Sequence, residues 1–163
     1  MSIELARAHL DRFGRGGEII ESQESKATVE LAAVALGVSP AEIAKTISLY
    51  TDDRSAAILI VASGDAKIAG GKFKARFGTK ARMLAAEDVE PMTGHAIGGV
   101  CPFGNPASAE VWLDASLKRF DTVYPAAGGA NTTIALTLGD LEAISEASGW
   151  VDVTKLPETE LSA

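Results

Sequence analysis

A glycine-rich, apolar stretch at residues 94–104 constrains the fold of this chain more than any other segment. Its sequence is GHAIGGVCPFG, with four glycines and one proline among apolar residues. Glycine weakens helix and strand interiors, and proline lacks the N–H that both structures use. The stretch is also too apolar for an ordinary solvated loop. It therefore predicts either a backbone-defined loop beside a buried pocket, where main-chain N–H groups approach a ligand, or a tight crossing between two packed strands.

The composition is that of one globular domain. The chain has 163 residues, and because only 6% are aromatic, Ala, Val, Leu and Ile must form most of the core. No apolar run approaches the roughly 20 residues that span a bilayer, and residues 1–13 carry charges throughout, unlike a signal peptide. One cysteine excludes an internal disulfide, and with two histidines it is too little for a metal cluster. We expect a cytoplasmic protein with no metal ion and no membrane contact.

The charge is distributed unevenly along the chain. The net charge is −7, which argues against nonspecific binding along a nucleic acid backbone. Residues 66–84 nevertheless carry six basic residues and no acidic one, whereas the rest of the chain has nine basic and 22 acidic residues. This basic strip consists of Lys67, Lys72, Lys74, Arg76, Lys80 and Arg82. It suits a partner that offers a few phosphates in one place, or it is a solvated helix face.

Apolar periodicity, caps and glycines predict short helices mixed with short strands. Helices are expected over residues 2–13, 28–36, 65–78, 86–92 and 138–148, with helical turns at 39–45 and 115–120. Strands are expected over 18–21, 45–50, 57–62, 81–84, 110–113, 121–124, 132–136 and 150–153. Because the elements do not alternate as βαβ units, we predict an α+β fold with a mixed, mostly antiparallel sheet. The prediction is a single domain over residues 1–155 and a flexible tail over 156–163.

Five short motifs, in this order, resemble one family. They are Thr28–Ala33, the Ala-Lys-Thr-Ile at 44–47, Ser-Gly-Asp at 63–65, the Gly98–Gly104 loop and the Leu-Asp-Ala-Ser-Leu at 113–117. Together they resemble the YbaK/EbsC-type aminoacyl-tRNA deacylases, which are similar to the editing domain of bacterial prolyl-tRNA synthetases. The resemblance covers roughly residues 21–149. It implies a barrel-like sheet flanked by helices, no cofactor, and hydrolysis of the ester between a wrong amino acid and the 3′ end of a tRNA.

The resemblance also implies a catalytic site: Lys45, Gly98, Gly99, Val100, Pro102 and Asp114. Backbone N–H groups of the glycine loop would stabilise the charge that develops on the carbonyl oxygen, and proline would stiffen the loop. Lys45 would hold a phosphate or the terminal nucleotide, sit near the oxyanion, or only complement a helix dipole. Asp114 would act as a base, hold Lys45, or cap the helical turn that follows it.

Ten residues are predicted to bind the substrate: Thr28, Thr46, Cys101, Phe103, Gly128, Gly129, Asn131, Lys72, Lys74 and Arg76. Two positions depart from the family pattern. Cys101 stands where relatives often have serine, and the 128–131 loop lacks the histidine of some members. Cys101 is either a small packed thiol or a nucleophile with His95 as its base.

These features favour a free-standing editing hydrolase that cleaves a mischarged small amino acid from tRNA-Pro or a similar tRNA. The expected partners are aminoacyl-tRNA and an aminoacyl-tRNA synthetase, and the expected state is a monomer. Two alternatives remain open at this point. One is an inactive module that binds tRNA or a synthetase, and the other is a thioesterase that uses Cys101 and His95.

Overall fold

The computed structural model describes residues 2–22 and 28–157. Within these residues the helices are α1 (Ser2–Asp11), α2 (Val29–Leu36), α3 (Gly70–Phe77), α4 (Ala86–Thr93) and α5 (Leu138–Ser145). Short 3-10 helices lie at Gly16–Glu18, Pro40–Glu42 and Ala115–Arg119. The strands are β1 (Ile20–Glu21), β2 (Ile43–Tyr50), β3 (Ala57–Ser63), β4 (Lys67–Ile68), β5 (Glu110–Asp114), β6 (Thr122–Pro125), β7 (Thr132–Thr133), β8 (Leu136–Thr137), β9 (Gly149–Val151) and β10 (Thr154–Lys155).

Six of these strands form one sheet in the order β8-β6-β2-β3-β5-β9. The β8–β6 and β2–β3 ladders are antiparallel, and the β6–β2, β3–β5 and β5–β9 ladders are parallel. Two small antiparallel pairs, β1–β7 and β10–β4, make four antiparallel ladders of seven in the described part of the chain. The sheet curls into a half-barrel, so the predicted α+β fold with a mixed sheet flanked by helices is confirmed.

The centre of the sheet is the β2–β3 hairpin. Asp53 holds the turn, because its Oδ1 accepts hydrogen bonds from the Thr51 and Ser55 hydroxyls and from the Ser55 N–H. Every residue of β3 is buried, as its nearly continuous apolar sequence predicts. Leu59 and Val61 face one apolar cluster with α1 and α5, and the alternate residues face a second cluster beneath α3.

Local signals place most helix ends correctly. The Thr28 hydroxyl caps α2 by accepting a hydrogen bond from the Leu31 N–H, and Gly37 ends that helix with φ of 72°. The predicted capping box at Ser39 and Glu42 is present, but the helix that it starts is a single 3-10 turn. β2 then begins at Ile43, so Lys45 lies inside a strand and not at a helix end.

Three predicted elements differ because residues distant in sequence pair with them. The helix predicted from residue 65 begins only at Gly70, since Lys67–Ile68 pairs with β10. The strand predicted at 81–84 is a single bridge between Met83 and Leu49. The strand predicted at 132–136 is divided, because β7 pairs with β1 whereas β8 pairs with β6.

Part of the predicted tail, from residue 158 onward, lies outside the described residues. Over the described ranges, we find no helix with the length and apolar character needed to cross a membrane.

Asp114 connects the end of β5 to the segment that leads into β10. The residue is fully buried, and its Oδ1 accepts a hydrogen bond from the Val153 N–H at 2.9 Å. Its Oδ2 accepts from the Ser116 N–H at 2.9 Å and from the Thr154 hydroxyl at 2.7 Å. The carboxylate thus holds the segment that carries β10 against the sheet.

We therefore expect Asp114→Ala to lower the free energy of unfolding by about 3 kcal/mol or more, because three buried donors lose their acceptor. Chemical denaturation monitored by circular dichroism measures this change. The control is Asp52→Ala, which removes an exposed carboxylate from the hairpin turn and should change stability by less than about 0.5 kcal/mol. A wild-type midpoint for Asp114→Ala would contradict the structural role.

Candidate active site

A cavity of about 410 Å³ opens beside β2, on the edge where that strand separates from β6. β6 pairs with β2 only at Ile43 and Ala44. At the other end of β2, the Leu84 N–H donates to the Ser48 carbonyl. Between these two contacts the cavity is bounded by β2, α2, α4 and the loops at 97–100 and 124–133. Such a volume is in the range of small-molecule sites.

Five of the predicted site residues line this cavity: Thr28, Lys45, Thr46, Gly98 and Val100. The remaining walls are mostly apolar and come from residues that were not predicted for the site. They include Val29 and Ala32 of α2, Met83, Val89 of α4, and Tyr124 and Thr133 near β6 and β7. The one available signal was the alternation of small and polar residues along β2, since Ala44, Thr46 and Ser48 all line the cavity.

Lys45 is half-buried in the cavity wall. Its Nζ donates a hydrogen bond to the Gly64 carbonyl at 3.2 Å. Burial lowers the pKa of Lys45 below its ordinary value, while the charges of Asp65 and Glu30 oppose this shift. The Asp65 carboxylate is itself paired with Arg119, whose Nη2 lies 2.7 Å from Oδ1. Because an ammonium has three donors, Lys45 can bind the Gly64 carbonyl and an anionic ligand together.

The glycine-rich stretch is both a pocket wall and a close crossing. Gly98 has φ of 94°, and with Val100 it lines the cavity. Gly99 lies against the 125–131 loop, since a Cβ added there would be 2.5 Å from the Gly128 carbonyl oxygen. The Gly99 N–H donates to the Ala96 carbonyl at 2.9 Å. It is therefore not free to bind a substrate oxygen, which corrects the prediction for this residue.

Cys101, Pro102 and Phe103 are buried and do not line the cavity, contrary to the sequence prediction. The reason is that the stretch folds inward after Val100 and packs into the core, where Cys101 and Phe103 join the main apolar cluster. Asn105 fastens this inward turn, because its Nδ2 donates to the Cys101 carbonyl at 3.0 Å. Pro102 is therefore a buried residue that supports the loop and does not contact the cavity.

Cys101 and His95 are neighbours, with Sγ 3.4 Å from Nε2, but their environment disfavours nucleophilic chemistry. Burial raises the pKa of the Cys101 thiol to about 12, so the thiol is neutral near pH 7. The His95 Nε2 also lies 2.6 Å from the Phe103 carbonyl oxygen. A nitrogen that donates to this carbonyl carries a hydrogen and cannot take a proton from the thiol. The buried, neutral thiol therefore argues against the thioesterase alternative.

The 125–131 loop shapes the cavity, but its three residues that were predicted to bind the substrate do not line the cavity wall. Gly128, Gly129 and Asn131 lie outside the cavity wall. The Asn131 Nδ2 donates to the Ser22 carbonyl at 2.9 Å, and Thr132 closes the turn through hydrogen bonds with the backbone of Gly129. These bonds hold β7 in place, so that Thr132 and Thr133 reach the wall instead.

The remaining predicted residues lie elsewhere. Lys72, Lys74 and Arg76, here called the α3 cluster, are exposed on the helix that covers the second apolar cluster. Lys72 Nζ lies 3.1 Å from Asp152 Oδ1, and the Arg76 guanidinium stacks on Trp112 at 4.6 Å. Neither the α3 cluster nor Asp114 lines the cavity. Across residues 2–22 and 28–157, no group of three potential metal ligands was found.

A sequence profile of the aminoacyl-tRNA editing domain matches residues 23–144. This chain belongs to the aminoacyl-tRNA editing domain family. The match covers the cavity and the glycine-rich loop, and it confirms the resemblance stated from the motifs.

Three relatives of this editing-domain protein are informative. Uncharacterized protein YwhH of Bacillus subtilis is 48% identical over 155 residues, which are 95% of this chain and 98% of that protein. A proline–tRNA ligase of Bacillus licheniformis is 31% identical over 137 residues, 81% of this chain, but the match spans only 23% of the ligase. The crystal structure of a proposed trans-editing enzyme for prolyl tRNA synthetase superposes with a TM-score of 0.83 at 28% identity, covering 94% of this chain and 97% of that one.

The buried thiol of the editing domain gives a pH-dependent prediction. The ordinary thiol pKa is about 8.5, and the pKa of Cys101 in the folded chain is about 12. At pH values between these two, the unfolded chain releases a thiol proton that the folded chain keeps. Stability should therefore fall as pH rises above 9. We expect the loss to be steeper in the wild type than in Cys101→Ala, by about 1 kcal/mol per pH unit.

Denaturation curves of both proteins at pH 8, 9 and 10 measure the difference in slope. The comparison with Cys101→Ala removes the contributions of lysines and tyrosines that titrate in the same range. Equal slopes, or rapid alkylation of the native thiol at pH 8, would contradict a neutral, buried cysteine.

Proposed function

We propose that this editing-domain protein is a free-standing deacylase that hydrolyses the ester of a mischarged small amino acid on a tRNA. The observation that carries the proposal is that Lys45, Gly98 and Val100 line the same cavity. Relatives of similar length, of which this chain covers 97–98%, support a free-standing protein. The match to part of a proline–tRNA ligase supports tRNA-Pro as the tRNA.

The proposed reaction needs a positioned water and stabilisation of charge on the ester carbonyl oxygen. Lys45 anchors a phosphate of the tRNA 3′ end through its ammonium, and this fixes the ester in the cavity. Backbone N–H groups of Gly98 and Val100 stabilise the oxyanion that forms as water attacks the carbonyl carbon. The bond to the ribose oxygen then breaks, and that oxygen takes the proton that the water loses. A neighbouring ribose hydroxyl orients the water, as the family resemblance implies.

The size and chemistry of the cavity support a small side chain. Its volume of about 410 Å³ must hold the terminal ribose together with the aminoacyl group. Apolar residues of α2 and α4 narrow the cavity, and hydroxyl groups lie along its wall on β2 and β7. Alanine, serine and threonine are the amino acids that we propose to test first.

The first prediction from the proposed function concerns Lys45. We expect Lys45→Ala to lower kcat/KM about 100-fold, because the 3′ end loses the cation that anchors it. The assay follows release of radiolabelled amino acid from tRNA-Pro charged with alanine, serine or threonine. The matched control is Lys155→Ala, which removes an exposed lysine outside the cavity and should stay within about twofold of the wild type.

Two results would contradict this assignment in different ways. Activity that survives in Lys45→Ala would show that the protein is a deacylase but that Lys45 is not required for the reaction. Wild-type protein that hydrolyses no member of the panel, yet binds the charged tRNA, would favour an inactive binding module.

The second prediction concerns the α3 cluster, which we propose contacts tRNA phosphates. Replacing its three residues by alanine should lower kcat/KM about fivefold to tenfold at low salt. Because fewer counterions are then released, log kcat/KM should also fall less steeply with log salt. The measurement is the same deacylation assay between 50 and 200 mM salt.

The control removes three exposed basic residues outside the α3 cluster: Arg7, Lys118 and Lys155. This triple alanine variant changes net charge equally and should keep the salt dependence closer to that of the wild type. Equal effects of both triple variants would show that only net charge matters. No effect of the α3 variant would remove the cluster from tRNA binding.

A further inference from the structure

Thr46 combines a buried hydroxyl with a position in the cavity wall. Thr46 lies on β2 opposite Val61 of β3, and it lines the cavity with Ala44 and Ser48. Its Oγ1 is buried and has no hydrogen-bond partner among the described residues. Buried polar groups in folded proteins are nearly always hydrogen-bonded, so an isolated one requires an explanation.

Other threonine hydroxyls around the cavity are already engaged. The Thr28 hydroxyl accepts from the Leu31 N–H as the cap of α2. The Thr132 hydroxyl donates to the Gly129 carbonyl and accepts from the Gly129 N–H. These two hydroxyls maintain the fold of the cavity wall. Thr46 has no such bond to a described residue, so its hydroxyl can bond a molecule in the cavity.

The charge of the cavity indicates which group of a substrate this hydroxyl meets. Among the described residues that line the cavity, none has a carboxylate, whereas Lys45 has an ammonium. An aminoacyl ester brings an α-amino group, which donates N–H bonds whether or not it is protonated. The acceptors that these lining residues offer to that group are uncharged oxygens, and a buried acceptor is stronger because water does not compete with it.

We propose that the Thr46 Oγ1 accepts a hydrogen bond from the α-amino group of the aminoacyl ester. The inference rests on the proposed deacylase function. It adds the atom that distinguishes an amino-acid ester from an ester without an α-amino group. Thr46 is then a substrate-binding residue that selects α-amino esters over esters of simple carboxylic acids. Lys45, the next residue on the strand, anchors the nucleic acid part of the same substrate.

The test compares two esters and three variants. The esters are the amino-acid ester that the wild type cleaves fastest and its counterpart without the amino group, such as alanyl-tRNA and propionyl-tRNA. Thr46→Val keeps the shape but removes the hydroxyl, and Thr46→Ser keeps the hydroxyl. Ser48→Ala is the matched control, because Ser48 lines the same cavity on the same strand face.

We expect Thr46→Val to lower kcat/KM at least tenfold on the amino-acid ester and less than about twofold on the counterpart. Thr46→Ser should stay within about threefold of the wild type on both esters. Ser48→Ala should affect both esters equally. The thermal midpoint of Thr46→Val should equal or exceed that of the wild type, since no hydrogen bond to a described residue is lost.

Each other outcome overturns a distinct statement. An equal loss on both esters, or no loss on either, would exclude recognition of the amino group by Thr46 while leaving the deacylase function intact. A thermal midpoint for Thr46→Val several degrees below the wild-type value would show that the hydroxyl has a structural partner. Wild-type protein that hydrolyses neither ester would overturn the proposed function itself.

Discussion

The seven-residue ladder between β2 and β3 is the constraint on which the rest of the structure depends. Because every residue of β3 is buried, that strand needs a neighbour on each edge and an apolar layer on each face. β2 and β5 supply the edges, and the two apolar clusters supply the faces. β2 itself keeps only two pairs with β6, and the cavity opens where this pairing stops. The site is thus a consequence of an incompletely paired strand beside a fully buried one.

The glycine-rich loop is held in place on its core side by groups that do not reach the cavity. Cys101 and Phe103 anchor it in the core, and Asn105 bonds the Cys101 carbonyl. This arrangement fixes the backbone of Gly98 and Val100 before any ligand binds. In the proposed reaction, donors that are already positioned need no rearrangement as charge develops on the substrate.

Sequence reasoning was strongest where one local signal determined the structure. The apolar run of β3, the Thr28 cap and the glycine ends of α2 and α4 are such signals, and they placed these elements within a residue or two. It was weakest where distant segments meet, as in the divided strand at 132–137. Lys45 and Gly98 were predicted for the site and line the cavity, but Val89 and Tyr124 were missed because their approach depends on tertiary packing. Cys101 and Phe103 were misplaced because a glycine–proline stretch does not reveal which of its residues turn inward.

The contact between Gly99 and the Gly128 carbonyl couples two loops that are far apart in the sequence. One loop carries the backbone of Gly98 and Val100, and the other leads into the wall at Thr132 and Thr133. A side chain at position 99 displaces the second loop, because the Gly128 carbonyl leaves no space there for a Cβ atom. In the proposed deacylase, selectivity for the amino acid and the rate of hydrolysis are therefore coupled at this point. Under the same proposal, reshaping the second loop for a new substrate calls for compensating substitutions in the first.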